Sequence, residues 1–155
     1  MRTLVAFFTA EAGRTAKLAE RVASLAGGDL FEIKPVKPYT RADLNYMNPL
    51  SRCNKEKIGK KDVPIAERVQ DFDQYDKILI GFPMWYYGAP NIVNTFCSSY
   101  DFSGKKVAAF ATSGGSSIGK TAEKLAPYVH GAEVSGARMF NDSSDSEIKA
   151  WLESL

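Results

Sequence analysis

Short apolar runs alternate with longer segments of helical periodicity along most of the chain. The runs are rich in Val, Ile, Phe and Ala and are bounded by glycine and polar residues, which is typical of β-strands. The run at 77–82 is almost wholly apolar, as expected of a parallel strand that is covered on both faces. Strands are predicted at residues 4–8, 30–33, 77–82, 107–111 and 132–139.

Helical patterns lie between and after these strands. The pattern at 15–26 carries Leu18, Val22 and Leu25 on one face, and two glycines follow it as a stop signal. The last pattern opens with Ser144 and Glu147, the spacing of a capping box. Helices are predicted at 15–26, at 64–72, from Pro90 onward, after residue 117 to about Pro127, and after Ser144.

This alternation of strands and helices predicts an α/β fold, a doubly wound five-stranded parallel sheet with helices on both faces. In the strand order 2-1-3-4-5, the loops after strands one, three and four reach one crevice at the carboxyl ends of the strands, where such folds bind ligands. With 155 residues and a balanced charged fraction, the chain is expected to form one domain over residues 1–155.

The first of these loops reads TAEAGRT at residues 9–15 and joins a buried strand to a helix N-terminus. Exposed backbone N–H groups and the positive end of a helix favour an anion there. Gly13 permits close approach of a ligand, and Arg14 adds a charged donor. Hydroxyl donors come from Thr9 and Thr15. An ordinary capped turn explains the loop about as well. Because the loop is neither GxGxxG nor GxxxxGK[ST], a mononucleotide or another small phosphate ligand is predicted.

The two other loops add aromatic and polar groups to the same edge. The second reads PMWYYGAP at 83–90 and holds Trp85, Tyr86 and Tyr87 in a row. The third reads TSGGSS at 112–117 and offers free backbone donors. Together the loops suit a flat aromatic ring on a phosphate tail. As alternatives, the aromatic residues pack in the core or at an oligomer interface, and the third loop caps a helix.

Charge and hydropathy limit the partners and the cellular location that we expect. A net charge of +2 over this length supplies no dominant basic surface, so nucleic acid is not expected as a partner. No apolar stretch is long enough to cross a membrane, and the N-terminus reads as a strand instead of a signal segment. A cytoplasmic protein without a membrane partner is therefore expected.

Cysteine and histidine give no catalytic or metal signal. Cys53 and Cys97 lie far apart in different kinds of segment, so free thiols are expected, with neither a disulfide nor a metal site. The sole histidine, His130, is expected near a helix terminus and not as a catalytic base. No catalytic residue is predicted.

The segment 35–63 has little periodicity and several basic residues. An excursion loop that covers a ligand or partner and a solvated surface loop are expected about equally. The covering loop is supported by apolar positions that a solvated loop does not need, among them Tyr39, Leu44 and Met47.

Four motifs in order resemble those of compact, short-chain members of the flavodoxin family. They read FEIKPVKPY at 31–39, GFPMWYYGAP at 81–90, YDFSGKK at 100–106 and ATSGGSS at 111–117. The resemblance covers nearly the whole chain and implies bound FMN. It implies that the phosphate lies on the first loop, the isoalloxazine ring beside the second, and the polar edge of the ring at backbone groups of the third. The implied cofactor-binding residues are Thr9, Glu11, Ala12, Gly13, Arg14, Thr15, Pro83, Met84, Trp85, Tyr86, Tyr87, Gly88, Thr112, Ser113, Gly114 and Gly115.

Two departures from that family's pattern affect the expected chemistry. The phosphate loop of the family commonly reads S/T-x-T-G-N/T-T, and this chain has Glu11 and Arg14 at two of those positions. Because a carboxylate repels phosphate, Glu11 is expected to point away, while Arg14 neutralises the phosphate. Flavodoxins that carry electrons are usually strongly acidic, whereas this chain is at +2, which weakens steering toward a basic redox partner.

Two functions of different class follow from the resemblance. One is a redox protein that transfers electrons through non-covalently bound FMN and docks with a protein partner. The other is an FMN-dependent NAD(P)H oxidoreductase that acts on a quinone or a similar small acceptor. A phosphate-binding regulatory module without flavin is a third and weaker reading. The expected oligomeric state is a monomer or a weak homodimer.

Overall fold

Five parallel strands form one sheet in the order β2-β1-β3-β4-β5, which confirms the predicted fold class. The computed structural model describes residues 2–9, 13–37, 44, 47, 50–52, 56, 63–84, 88–112, 118, 120–141 and 143–155. Strand bounds differ from the predicted ones by two residues at most. The strands are β1 Thr3–Phe7, β2 Asp29–Glu32, β3 Lys77–Pro83, β4 Lys106–Thr112 and β5 Val134–Met139.

Helices cover both faces of the sheet. The side chains of β1 alternate, so that Val5 and Phe7 pack under one layer and Leu4 and Ala6 under the other. In the described part of the chain, α1 and α4 lie on the first face, and α2 and α3 on the second. The helices are α1 Arg14–Ala26, α2 Asn91–Ser98, α3 Thr121–Leu125 and α4 Asp145–Ser154, with 3₁₀ turns at Phe72–Gln74 and Ala126–Tyr128.

Local sequence signals account for the ends of α1 and α4. Gly13 and Gly27 flank α1 in the left-handed region, with φ of 72° and 65°. The N–H of Gly28 donates to the carbonyl of Ala23 at 2.9 Å, which closes the last turn as a Schellman motif does. At the start of α4, the Ser144 hydroxyl accepts the N–H of Glu147 at 3.3 Å, so the serine half of the predicted capping box forms.

The fifth strand contains a β-bulge near its glycine, Gly136. Val107 of β4 pairs with Val134, and Ala109 pairs with Ala137, so β5 carries one extra residue around Gly136. Such a bulge increases the local twist at the edge of a sheet. The prediction of a strand here is correct, and its first two residues, 132 and 133, lie outside it.

The helix predicted at 64–72 is wrong. Ile65 forms an antiparallel bridge with Pro35 instead. The N–H of Val36 donates to the carbonyl of Pro64 at 3.0 Å, and the N–H of Ala66 donates to the carbonyl of Lys34 at 2.8 Å. These bonds hold the backbone extended beyond the end of β2. The apolar spacing that suggested a helix still marks residues that pack against the core, namely Ile65, Val69 and Phe72.

Other predicted details fall close to the observed ones. Pro90 is the N-cap of α2 and not its first residue. His130 follows the 3₁₀ turn Ala126–Tyr128 and forms a parallel bridge with Asp101. Cys97 is a free, fully buried thiol, whereas Cys53 lies outside the described residues. Among the described helices, none combines the length and hydropathy that crossing a bilayer requires.

Candidate functional site

The carboxyl ends of β1, β3 and β4 meet at one edge of the sheet. Phe7 pairs with Gly81, and Pro83 pairs with Thr112, so the three strands end side by side. Backbone bonds continue past the strands: the N–H of Phe8 donates to the Gly81 carbonyl at 2.9 Å, and the N–H of Met84 donates to the Thr112 carbonyl at 2.8 Å. The loops that follow therefore start from one rigid line.

The N-terminus of α1 opens onto this edge. Its N-cap, Gly13, has no side chain to bond the first helical N–H groups, and the first turn holds no acidic residue. The Gly13 carbonyl accepts the N–H of Lys17 at 3.1 Å, which closes the first turn. The helix itself offers no acceptor to the N–H groups before Lys17, and the positive end of the helix dipole favours an anion there. The side chain of Arg14 is exposed beside it.

Two buried hydroxyls connect α1 with β4. The Oγ1 atoms of Thr15 and Thr112 lie 2.8 Å apart, within hydrogen-bond distance. Thr15 is 2% exposed and Thr112 is 5% exposed, so neither hydroxyl has ready access to water. Thr112 also binds Met84 through its carbonyl. Thr112, at the start of the third loop, thus contacts Met84 near the start of the second loop and Thr15 at the end of the first.

The start of the second loop is packed against the start of α3. Met84 is 9% exposed, and the Thr121 hydroxyl lies 3.6 Å from its sulfur atom. The same hydroxyl donates to the carbonyl of Ile118. Gly88, at the far end of the loop, is buried as well. Sequence reasoning did not identify Thr121, because a threonine at the start of a short helix carries no signal for a contact 37 positions away.

Half of the predicted site residues can be located. The structure brings Gly13, Thr15, Met84 and Thr112 to one edge, with Thr9 and Pro83 half-buried at the ends of their strands. The other predicted site residues lie outside the described part of the chain, namely Glu11, Ala12, Trp85, Tyr86, Tyr87, Ser113, Gly114 and Gly115. The expected orientation of Glu11 therefore stays a prediction.

The described groups with shifted pKa values lie away from this edge. Asp29 begins β2 at the opposite end of the sheet, where a hydrogen bond from the Tyr75 hydroxyl and then the Arg2 guanidinium lower the pKa of its carboxyl. Burial, followed by the bond to Asp29, raises the pKa of Tyr75. Burial alone raises the pKa of the Cys97 thiol. Among the predicted site residues that the structure describes, the polar side chains are the hydroxyls of Thr9, Thr15 and Thr112 and the guanidinium of Arg14, all of which can donate hydrogen bonds.

Part of the segment 35–63 is fixed to the start of α2. Arg52 and Glu56 form an ion pair at 2.8 Å, with side chains 17% and 12% exposed. The Arg52 guanidinium donates to the carbonyl of Lys37 at 2.7 Å, and the amide of Asn91 donates to the carbonyl of Glu56 at 2.6 Å. Asn91 begins the helix that follows the second loop. The segment is thus held next to the candidate site.

An open groove of about 580 Å³ lies elsewhere, between the edge strand β2 and the chain before β3. Its lining includes Leu30, Phe31, Val69 and Tyr75. None of the described residues of the three loops contributes to that lining. The groove is therefore separate from the site at the carboxyl edge.

Comparisons with known proteins agree on one family. The family model described as flavodoxin matches residues 2–155. The crystal structure of a candidate flavoprotein from Bacteroides eggerthii DSM 20697 is 40% identical, with a TM-score of 0.93, and the match covers 99% of this chain and 96% of that one. A second candidate flavoprotein, from Bacteroides uniformis ATCC 8492, is 40% identical with a TM-score of 0.91 and coverage of 98% and 97%.

A third similar structure contains a ligand. It is a flavoprotein from Lactobacillus acidophilus NCFM in complex with FMN, which is 26% identical with a TM-score of 0.74 and coverage of 97% of both chains. A search of curated protein sequences found no match.

Proposed function

This chain belongs to the flavodoxin family, and from that membership we propose that it binds FMN non-covalently and transfers electrons through it to a redox partner. The observation that carries the proposal is the meeting of the open α1 N-terminus, the buried Thr15–Thr112 pair and the buried Met84 at one sheet edge. The Lactobacillus flavoprotein supports the choice of FMN, since that similar chain was solved with it.

The chemistry of the first loop fits the phosphate of FMN. A dianion is stabilised by backbone N–H groups at a helix N-terminus and by the helix dipole. Gly13 leaves open space there, because a Cβ at this position would meet no atom within 4 Å. Arg14 supplies a positive charge, and Thr15 supplies a hydroxyl at the same end of α1.

The second and third loops suit the ring system. Met84 and Gly88 flank the three aromatic residues of the second loop, and both are buried. Trp85, Tyr86 and Tyr87 would supply flat aromatic faces for the isoalloxazine, and backbone groups of the third loop would bond its polar edge. Surroundings that contain little water strengthen each hydrogen bond to the ring.

Bound FMN supplies one-electron and two-electron redox chemistry, and the protein's own groups decide how tightly and in what orientation it is held. Arg14 and the first-turn N–H groups of α1 bind the phosphate. Met84 and Gly88 exclude water from one side of the ring.

The visible absorption spectrum of the purified protein tests this proposal, before and after FMN is added and the excess removed by desalting. We expect flavin bands that remain with the protein at one FMN per chain. A colourless protein that does not retain FMN would overturn the proposal.

A charge reversal sharpens the test. Arg14→Glu reverses the charge at the first helical residue, where a carboxylate also favours the helix dipole, so folding is not weakened. Lys17→Glu makes the same charge change on the exposed face one turn later. We expect Arg14→Glu to raise the Kd for FMN by about tenfold or more and Lys17→Glu to have a clearly smaller effect. Equal effects would show that the phosphate does not lie at this helix end.

An FMN-dependent NAD(P)H oxidoreductase is the second candidate. The observation that favours it is the bond between the segment around Arg52 and Glu56 and Asn91, the first residue of the helix after the second loop. Anaerobic mixing of the FMN-loaded protein with NADPH or NADH separates the two functions. A carrier is reduced slowly in the absence of a reductase, whereas the enzyme is reduced rapidly and passes electrons on to a quinone.

The proposed partners follow from the charge of the chain. A net charge of +2 favours an acidic or neutral redox partner protein, or a small electron acceptor, over a basic protein. A net charge this small over 155 residues supplies no dominant basic surface, so nucleic acid is not proposed as a partner. We propose a monomer or weak homodimer, which sedimentation at several protein concentrations tests.

A further inference from the structure

We propose that Thr112 is a positioning residue: its hydroxyl donates to Thr15 Oγ1 and thereby directs the Thr15 proton to the phosphate of the ligand. The inference rests on the proposed function, because it assumes that FMN phosphate occupies the N-terminus of α1. It concerns the 2.8 Å contact between the two hydroxyls, which joins residues 97 positions apart.

The donor count of the pair carries the inference. Each threonine hydroxyl has one proton, so only one of the two can donate within the pair. If Thr15 donates to Thr112, the oxygen of Thr15 presents lone pairs to an arriving phosphate and repels it. If Thr112 donates to Thr15, the Thr15 proton is left for the anion. An anion at this helix end therefore selects the second arrangement.

The surroundings of Thr112 make it suitable for this task. At 5% exposure its hydroxyl cannot easily exchange Thr15 for water. Its carbonyl accepts the N–H of Met84 at 2.8 Å, and it is in register with Pro83 of β3, so its backbone is held on the sheet. A donor fixed in this way orients its acceptor without losing rotational freedom on binding.

The consequence is selectivity for the phosphate of the ligand. Riboflavin has the same ring system as FMN but no phosphate, so it does not use the Thr15 proton. Removal of the Thr112 hydroxyl should therefore weaken the binding of FMN and leave the binding of riboflavin unchanged. A residue that merely held the loops together would affect both flavins equally, because the ring binds to the same loops.

The experiment measures the Kd of the full-length, flavin-free protein for FMN and for riboflavin by quenching of flavin fluorescence. Thr112→Val keeps the shape and removes the hydroxyl, whereas Thr112→Ser keeps the hydroxyl. Thr3→Val is the matched control, since Thr3 is another buried threonine at the opposite end of β1. We expect the Kd for FMN to rise about tenfold in Thr112→Val and less than threefold in the other two variants. The riboflavin Kd should stay within twofold throughout.

A double variant tests the route through Thr15. In the Thr15→Val background, which has no hydroxyl to orient, Thr112→Val should change the FMN Kd by less than twofold. Thr112→Ala is prepared in parallel, and its FMN-to-riboflavin affinity ratio serves in case valine prevents folding. Equal losses for both flavins, an unchanged FMN Kd, or full additivity of the two substitutions would overturn the inference. Failure of the unsubstituted protein to bind either flavin would instead overturn the proposed function and, with it, this inference.

Discussion

The ring of Phe110 on β4 fills the space beside Gly81 on β3 that a Cβ atom would otherwise take. The two residues are register partners in the centre of the sheet, and both are buried. Gly81→Ala would drive a methyl group into the ring and displace either Phe110 or the strand. We expect a loss of about 1–3 kcal/mol in the free energy of unfolding, measured by urea denaturation.

Gly136→Ala is the control for this substitution. Gly136 also lies in a strand, but a Cβ there would meet no atom within 4 Å, and its φ is not in the left-handed region. The change should alter stability by less than about 1 kcal/mol, in either direction. Comparable losses at both positions would mean that the Phe110 ring is not the obstacle.

The two glycines that flank α1 give a matched pair for separating stability from ligand binding. Gly13 and Gly27 both have positive φ, at 72° and 65°, and both have open space around a Cβ. Alanine at either position should cost about 1–2 kcal/mol of stability, because an L-residue is disfavoured in that region. Only Gly13→Ala should also weaken the binding of FMN, which measurement of the FMN affinity of both variants will test. A loss of affinity in Gly27→Ala of the same size would contradict the location of the phosphate.

The Asp29 carboxylate makes stability depend on pH. It accepts the Tyr75 hydroxyl at 2.8 Å and the Arg2 guanidinium at 3.1 Å, and these bonds lower its pKa in the folded state. A lowered folded pKa gives stabilisation that is present above the ordinary value of 3.8 and is lost as the pH falls through the folded pKa. The unsubstituted protein should therefore exceed Asp29→Asn in stability at pH 7, and the difference should shrink below about pH 4.

Thermal unfolding midpoints between about pH 2.5 and 7 test this dependence. Tyr75→Phe removes the hydroxyl that contributes most to the lowered pKa. In that background, Asp29→Asn should show a smaller pH-dependent difference. A difference that does not vary with pH would rule out Asp29 as its source.

The thiol of Cys97 should be chemically silent in the folded protein. It is fully buried on α2, and burial raises its pKa, so very little thiolate forms at neutral pH. In a Cys53→Ser background, a thiol-specific reagent such as DTNB should label no cysteine in buffer and one per chain in concentrated urea. Rapid labelling in buffer would mean that α2 opens from the sheet far more often than its packing allows.

The apolar strands were the part of the fold most accessible from sequence. β3 and β4 are buried on both faces, so each appears as a predominantly apolar run that begins at a lysine. The convergence of three loops on one edge also followed, because parallel strands with this order leave no other arrangement. The helix prediction for residues 64–72 failed because a distant part of the chain determines the conformation of this segment. Its apolar spacing was read correctly, but the strand partner that holds it extended lies about 30 residues earlier, at Pro35.

The internal contacts of the site could not be read from the chain. Thr15 and Thr112 were each predicted at the ligand, and nothing in the sequence showed that their side chains bond to each other. The same holds for Gly81, because the sequence does not show that the ring of Phe110 occupies the space beside it. Side-chain pairs across a sheet depend on register, and register is not encoded locally.

The distance along the chain between Thr15 and Thr112 also sets an order of events during translation. The open end of α1 leaves the ribosome early, yet the hydroxyl that meets Thr15 is made 97 residues later, at the end of the fourth strand. Until β4 has emerged and joined the sheet, the nascent chain has a helix terminus without its counterpart. A synthesis product that stops before residue 112 therefore lacks both the partner hydroxyl of Thr15 and the end of the strand that carries it, however well its first strands have folded.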